Sequence, residues 1–244
     1  MSEGVEEHTG RSRVVVGLTM VGILIVGLLV LVVMGLTGGE DKPSSAPSMS
    51  VSGQVAPSAQ ASEDEESIYS AACGFEPTDR SKPDGSFATT RLMTESGVRV
   101  ASAQGIGPCS VNPLPTGYAF TPKGALLAAV NFVSAMTSHP DKGQVASMLL
   151  ANTAGREQIL ASDQPQNAPV EPVSVVGFKT ELVGPLEYEV DVAFSATSLA
   201  DRVFAMKLPV VWEDHDWRVV MGAQGPQGYP VGDLVIEGFS VWGY

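Results

Sequence analysis

The longest uninterrupted apolar stretch, Val14 to Leu36, reads VVVGLTMVGILIVGLLVLVVMGL, 23 residues without a charge. At 1.5 Å per residue, a helix of that length spans roughly 34 Å and crosses a ~30 Å hydrocarbon core with some tilt. A soluble core helix would carry a polar stripe, and this run has none. A cleaved signal peptide would have an apolar region of only ~7–15 residues before a small-residue cleavage site. This run is longer and exits through Gly38-Gly39-Glu40, so the pattern predicts a retained single-pass anchor. Arg11 and Arg13 precede it and Glu40-Asp41-Lys42 follows, which by the positive-inside rule puts residues 1–13 in the cytoplasm and 37–244 outside the membrane. Gly17, Gly22 and Gly27 are five apart, off the four-residue spacing of a close-packed helix pair. The anchor therefore reads as a tether, and homo-oligomerisation stays open.

Beyond the anchor the pattern changes twice. Residues 37–69 form a linker: PSSAPSMSVSGQVAPSAQAS is dominated by Ser, Ala and Pro, and the acidic run Glu63-Asp64-Glu65-Glu66 follows. Apolar residues there are too sparse to offset the entropy of ordering. An extracytoplasmic domain is expected over 70–244. Its first part is rich in Gly, Pro and Ser, with one plausible strand at Val98–Ala103. Then Thr121-Pro122 gives an N-cap followed by Pro at the first helical position. Leu126, Ala129, Val130, Val133 and Met136 recur at helical spacing, which predicts a buried helix of about 15 residues ending at His139-Pro140-Asp141. Two shorter helices are expected over Gly143–Leu150 and Thr153–Leu160, the second with Ile159 and Leu160 on its apolar face.

From Val170 the period switches to two. Ser174–Leu182 and Leu186–Ala193 alternate about a Gly184-Pro185 turn, and Asp201–Trp212 and Trp217–Met221 make a second hairpin. The turn Glu213-Asp214-His215-Asp216 sets Trp212 opposite Trp217 as a structural aromatic pair. Along the second strand Glu187, Glu189 and Asp191 share one face, and Tyr188, Val190 and Val192 the other. Three carboxylates in a row invite a metal or acid–base reading, but alternation makes them the wet face of an antiparallel strand. That row is the candidate partner face. The last 23 residues, with Leu234–Ile236 and Phe239–Trp242, are expected to pack back on the sheet. Helices followed by a strand meander define an α+β domain, a curved antiparallel sheet wrapped around a long helix.

Composition narrows the chemistry. The net charge of −13 argues against nucleic acid, which needs clustered Lys and Arg to displace counterions. Three histidines and two cysteines are too few for most zinc sites. Cys73 and Cys109 lie in the outer part and read as one disulfide; they lack the C-x-x-C spacing and basic setting of a redox pair. No nucleophile elbow, phosphate-binding loop or H-E-x-x-H occurs. His139 and His215 read as exposed polar residues, and Asp214-His215-Asp216 as turn residues that do not aim at one ion. No cofactor and no catalytic residue is expected.

The stretch GIGPCSVNPLPTGYAFTPKGALLAAVNFVSAM, with LPVVWEDHDWRVV and the closing GFSVWGY, resembles a domain of unknown function from actinobacterial single-pass membrane proteins associated with integrative conjugative elements. The element order also looks like the nuclear-transport-factor-like fold of bitopic assembly subunits in conjugation and type IV secretion machines. Gly117-Tyr118, Thr121-Pro122 and Gly124-Ala125-Leu126 carry the resemblance together. His215 stands where a W-x-D-G-D-W-R turn usually has Gly, which points to a different turn type. The resemblance implies a cone of helices on a curved sheet, and a non-enzymatic, membrane-anchored assembly subunit acting through envelope protein partners. The alternatives are an accessory protein of another envelope transport system and a small-molecule-binding or enzymatic cone. For the last, the helix facing the cone offers Asn131 and Ser134.

Overall fold

The structure is a computed structural model and describes residues 71–243, apart from Thr78, 163–169 and Asp201. The segments expected as a cytoplasmic tail (1–13), an anchor (14–36) and a linker (37–69) lie outside the described residues. Among those described, no helix is long and apolar enough to cross a membrane.

Helix α1, Pro122–Ser138, starts as its sequence dictates: the Thr121 hydroxyl accepts from the Gly124 N–H at 3.0 Å, and Pro122 takes the first turn, where no N–H is needed. Every residue from Gly124 to Val133 is buried, so the helix is a core element on all sides. Gly124 has no room for a side chain, because a β-carbon there would collide with the Ala119 carbonyl oxygen. His139 ends α1 in extended backbone. Its ring is buried, not exposed as the sequence suggests, because Nδ1 accepts the Asp141 N–H (3.1 Å) and closes the turn into α2, Lys142–Leu149. Lys142 Nζ donates back to the Met136 and His139 carbonyls, capping the negative end of α1. Helix α3, Ala154–Ala161, follows; Leu160 is exposed on it, contrary to its place on the expected apolar face.

The strands are β1 (Thr90–Met93), β2 (Arg99–Ser102), β3 (Ser174–Gly184), β4 (Glu187–Ser195), β5 (Val203–Glu213), β6 (Asp216–Val219), β7 (Gln227–Val231) and β8 (Ser240–Val241). β1 and β2 form a separate antiparallel hairpin. The main sheet runs β8-β3-β4-β5, with β6 and β7 sharing the far edge of β5, and every pairing in it is antiparallel. The expected α+β class holds. Trp212 faces Trp217 across the β5–β6 hairpin, in the expected register. The hairpin loop is Asp214-His215, both at positive φ (52° and 62°), the pattern of a type I′ turn. His215 therefore adopts the conformation a Gly would, and the different turn type expected from it is not found.

The tail returns to the sheet as expected through β7 and β8, and Leu234 reaches over Gly177 beside Phe239. Val235 and Ile236 do not pack: they project from a turn in which the Asp233 carboxylate accepts from both their N–H groups.

Candidate functional site

Two polar systems and one aromatic cluster account for the residues singled out by sequence. The aromatic cluster lies between α1 and the sheet. Phe120 stacks on Trp217 (centroids 5.4 Å, planes 8° apart), and Trp212 and Tyr188 meet the Trp217 ring edge-on at 5.2 and 5.5 Å. Trp217 Nε1 donates to the Ala119 carbonyl at 3.0 Å, so the one polar atom of its buried ring is satisfied. Trp212 and Trp217 thus fill the space between helix and sheet.

The first polar system is buried and structural. Asp216 accepts three backbone N–H bonds, from Gly117 (2.8 Å), Tyr118 (2.9 Å) and Trp217 (2.9 Å). Burial pushes its carboxyl up, and those three donors offset part of the rise. Asn131 makes strand-like bonds to Ala101: Oδ1 accepts its N–H at 2.7 Å, and Nδ2 donates to its carbonyl at 2.9 Å and to Tyr118 Oη at 2.9 Å. Both lock the segment before α1 onto the body. Burial accordingly drives the Tyr118 phenol far up. Cys73 and Cys109 stand at disulfide distance, with Cα atoms 6.3 Å apart. Gly117 lies directly beneath them at φ +81°, and a β-carbon there would collide with both sulfurs. The Gly117-Tyr118 pair is thereby explained by close approach and by two amides aimed at Asp216.

The second polar system lies on the outer sheet face, and it changes the candidate partner face. Pairing builds a row across three strands, Lys179–Asp191–Lys207, with Glu181 beside Glu189 in the next row. Lys207 is ion-paired with Glu189 and lies 3.9 Å from Asp191. The bond to Glu189 raises the Lys207 ammonium, with burial opposing it. Asp191 is buried, not on a solvated face, because the side chains of Lys207 on β5 and Tyr229 on β7 lie against its carboxylate. Burial and then the Asp191 charge push the Tyr229 phenol well up. Lys179 Nζ sits 4.0 Å from the centre of the Phe239 ring, a cation–π contact that holds the tail. Glu187 stays half-buried near the β3–β4 turn. The row is mixed in charge, and it lines a groove of about 570 Å³ bordered by Lys82 and Pro83.

Sequence reasoning finds the carboxylates of this face but not Lys179 and Lys207, whose proximity depends on strand register. It also takes Asp216 for an open-turn residue, although that turn folds back on Gly117. His215 remains at the exposed hairpin tip, and among the described residues no group of His, Cys, Asp or Glu side chains could hold a metal ion.

Helices on one face of an antiparallel sheet, with buried polar groups bonded to backbone, define a small α+β domain built around a single long helix. The chain belongs to the family described as "Domain of unknown function (DUF8175)", which matches residues 50–239. No curated protein and no solved structure matches it.

Proposed function

We propose that this chain is a non-enzymatic assembly subunit of a cell-envelope conjugation or secretion apparatus, anchored by Val14–Leu36 with its domain outside the membrane. One observation carries the reading. β8 covers the edge of β3 only at Gly177 and Phe178, and beyond it Lys179–Val183 pairs with no strand on that side among the described residues. Leu182 and Val183 on that stretch are 62% and 59% exposed. Monomeric proteins usually blunt such an edge, because its free N–H and C=O groups invite another extended chain. The occupant is an extended segment of an envelope partner, its outer side chains facing the alternating charges of Lys179 and Glu181.

The α+β order of elements supports the nuclear-transport-factor-like reading of the fold. The packing of Phe120, Tyr188, Trp212 and Trp217 between helix and sheet favours assembly over a ligand-holding cone. The test is L182K/V183K in the full chain, which places charges on the edge and leaves the core untouched. Detergent-extracted wild type should sediment as a larger particle and the variant as a single chain with an unchanged melting midpoint. Identical sedimentation as single chains would overturn the reading. Loss of the particle without loss of DNA transfer would keep assembly and remove conjugation. A reporter joined after Tyr244 that is active only in the cytoplasm would remove the envelope setting.

A further inference from the structure

Strand register fixes which side chains stand beside the open edge of β3. Lys207, Asp191 and Lys179 form one row across the sheet, alternating in sign, and Lys179 Nζ rests on the Phe239 ring at its end. The next row does not alternate: Glu181 stands directly opposite Glu189. Like charges so placed repel. Glu189 is ion-paired with Lys207, whereas the exposed Glu181 makes no ion pair among the described residues. Lys207, shared by Glu189 and Asp191, feels the charge of Glu181 least of the three. Lys82 borders the groove without an ion pair to it. The other side of Glu181 is the open edge.

The residue before it is unsatisfied in a second way. Thr180 pairs with the fully buried Val190, so its side chain lies on the inner face. It is 4% exposed and lines the groove, and its hydroxyl has no hydrogen-bond partner among the described residues. A buried hydroxyl without a partner carries a desolvation cost that an incoming polar group can remove. A second copy of this chain fits the edge badly. Two copies paired along the whole of Lys179–Val183 centre on residue 181 and set the Glu181 carboxylate against itself. β8, which occupies the start of this edge, runs antiparallel to β3. A strand in line with β8 therefore passes Glu181 one residue before it passes Thr180. We infer that the strand bound here belongs to a different protein and carries Lys or Arg opposite Glu181, followed directly by Ser or Thr opposite Thr180. The cation meets Glu181 on the outer face, and the hydroxyl bonds Thr180 on the inner one. This rests on the edge-pairing reading proposed above and adds the chemistry of the partner.

The experiment selects a display library of random peptides on the full chain in detergent and discards those that also bind L182K/V183K. The remaining binders should share Lys or Arg followed by Ser or Thr. On E181K the basic position should turn acidic, and a peptide selected on wild type should bind E181K about tenfold more weakly, repulsion having replaced attraction. Glu181 is exposed, so E181K should melt as wild type does. If it does not, E181Q should erase the charge preference instead. T180V should remove the Ser or Thr preference and leave the basic one. Edge binders with no basic preference, or with one unchanged by both variants at 181, overturn the inference and leave edge pairing standing. Finding no binder sensitive to L182K/V183K removes edge pairing as well. A dimer of the purified chain that L182K/V183K dissociates would assign the edge to a second copy and likewise overturn the inference.

Discussion

Between Ala71 and Thr121 the described chain forms two strands of four residues each, whereas from Pro122 onward it forms three helices and six strands around a shared core. The two regions share that core but differ in what fastens them beyond it. The body buries Leu126, Val130, Val190, Leu208 and Trp217 against one another, and its stability is spread over area. The earlier segment adds Val98, Leu114, Tyr118 and Phe120 to the same core and is fixed beyond that at points: the Cys73–Cys109 pair, the Asp216 carboxylate on Gly117 and Tyr118, and Asn131 on Ala101. Ala72 adds a backbone bond to the His215 carbonyl at 3.0 Å. A region too short of apolar residues to form its own core is ordered by lending those few to the body's core and by buried polar groups of the body committed to it.

This contrast can be broken most directly in the body. Trp217→Ala removes a ring that is 3% exposed and touches Phe120, Tyr188 and Trp212. It should cost about 3–5 kcal/mol in denaturant unfolding, with the whole domain melting in one transition. A loss under about 1 kcal/mol would mean that the aromatic cluster is not the centre of the core. For the earlier segment, replacing Cys73 and Cys109 together by Ser frees a loop with a sequence separation of 36. The chain-entropy treatment gives a loss of about 4 kcal/mol. Non-reducing mass spectrometry of the wild type should find the two cysteine peptides joined, and two free thiols would end that assignment.

The same division governs what the sequence reveals. Helix α1, the β3–β4 and β5–β6 hairpins and the Trp212–Trp217 pairing follow from period and turn chemistry, which depend on neighbours along the chain. Strand β1 does not, because all four of its residues are exposed and show no alternation. Asp216 belongs to a run of charged turn residues, yet its partners lie 98 and 99 positions earlier, a distance over which no periodicity speaks. The candidate partner face is half legible for the same reason. Alternation puts Glu189 and Asp191 on the outer face, but only the pairing of β4 with β5 shows that Lys207 neutralises them.

Asp216→Asn probes one point fastening alone. The amide keeps the volume but has one acceptor oxygen, so a buried N–H from Gly117 or from Tyr118 and Trp217 is left without its partner. The expected loss is about 1–3 kcal/mol. Burial raises the wild-type carboxyl above its ordinary 3.8, so the folded state holds that proton more tightly than the unfolded chain. Stability contributed by this group therefore falls as pH rises from the ordinary aspartate value through the higher folded one. Unfolding measured across the acid range should show the gap between wild type and D216N narrowing with rising pH. A gap that widens would mean that the three N–H donors outweigh desolvation.

The outer face of the body supplies the opposite case, a polar contact left partly in solvent. Lys207 and Glu189 are ion-paired with side chains 38% and 31% exposed, so water and salt screen the attraction. A double-mutant cycle with K207M and E189Q should give a coupling of only about 0.2–1 kcal/mol, well below the cost of D216N. The pairing raises the Lys207 ammonium above its ordinary 10.5. Its contribution is accordingly complete below the unfolded lysine value and is lost as pH rises through the higher folded one. The coupling should also shrink in high salt, whereas the effect of D216N, arising from desolvated amides, should not. A salt-insensitive coupling above about 2 kcal/mol would show that β7 and the tail seal this face as dry as the interior. The body would then rely on point contacts as much as the segment before it does.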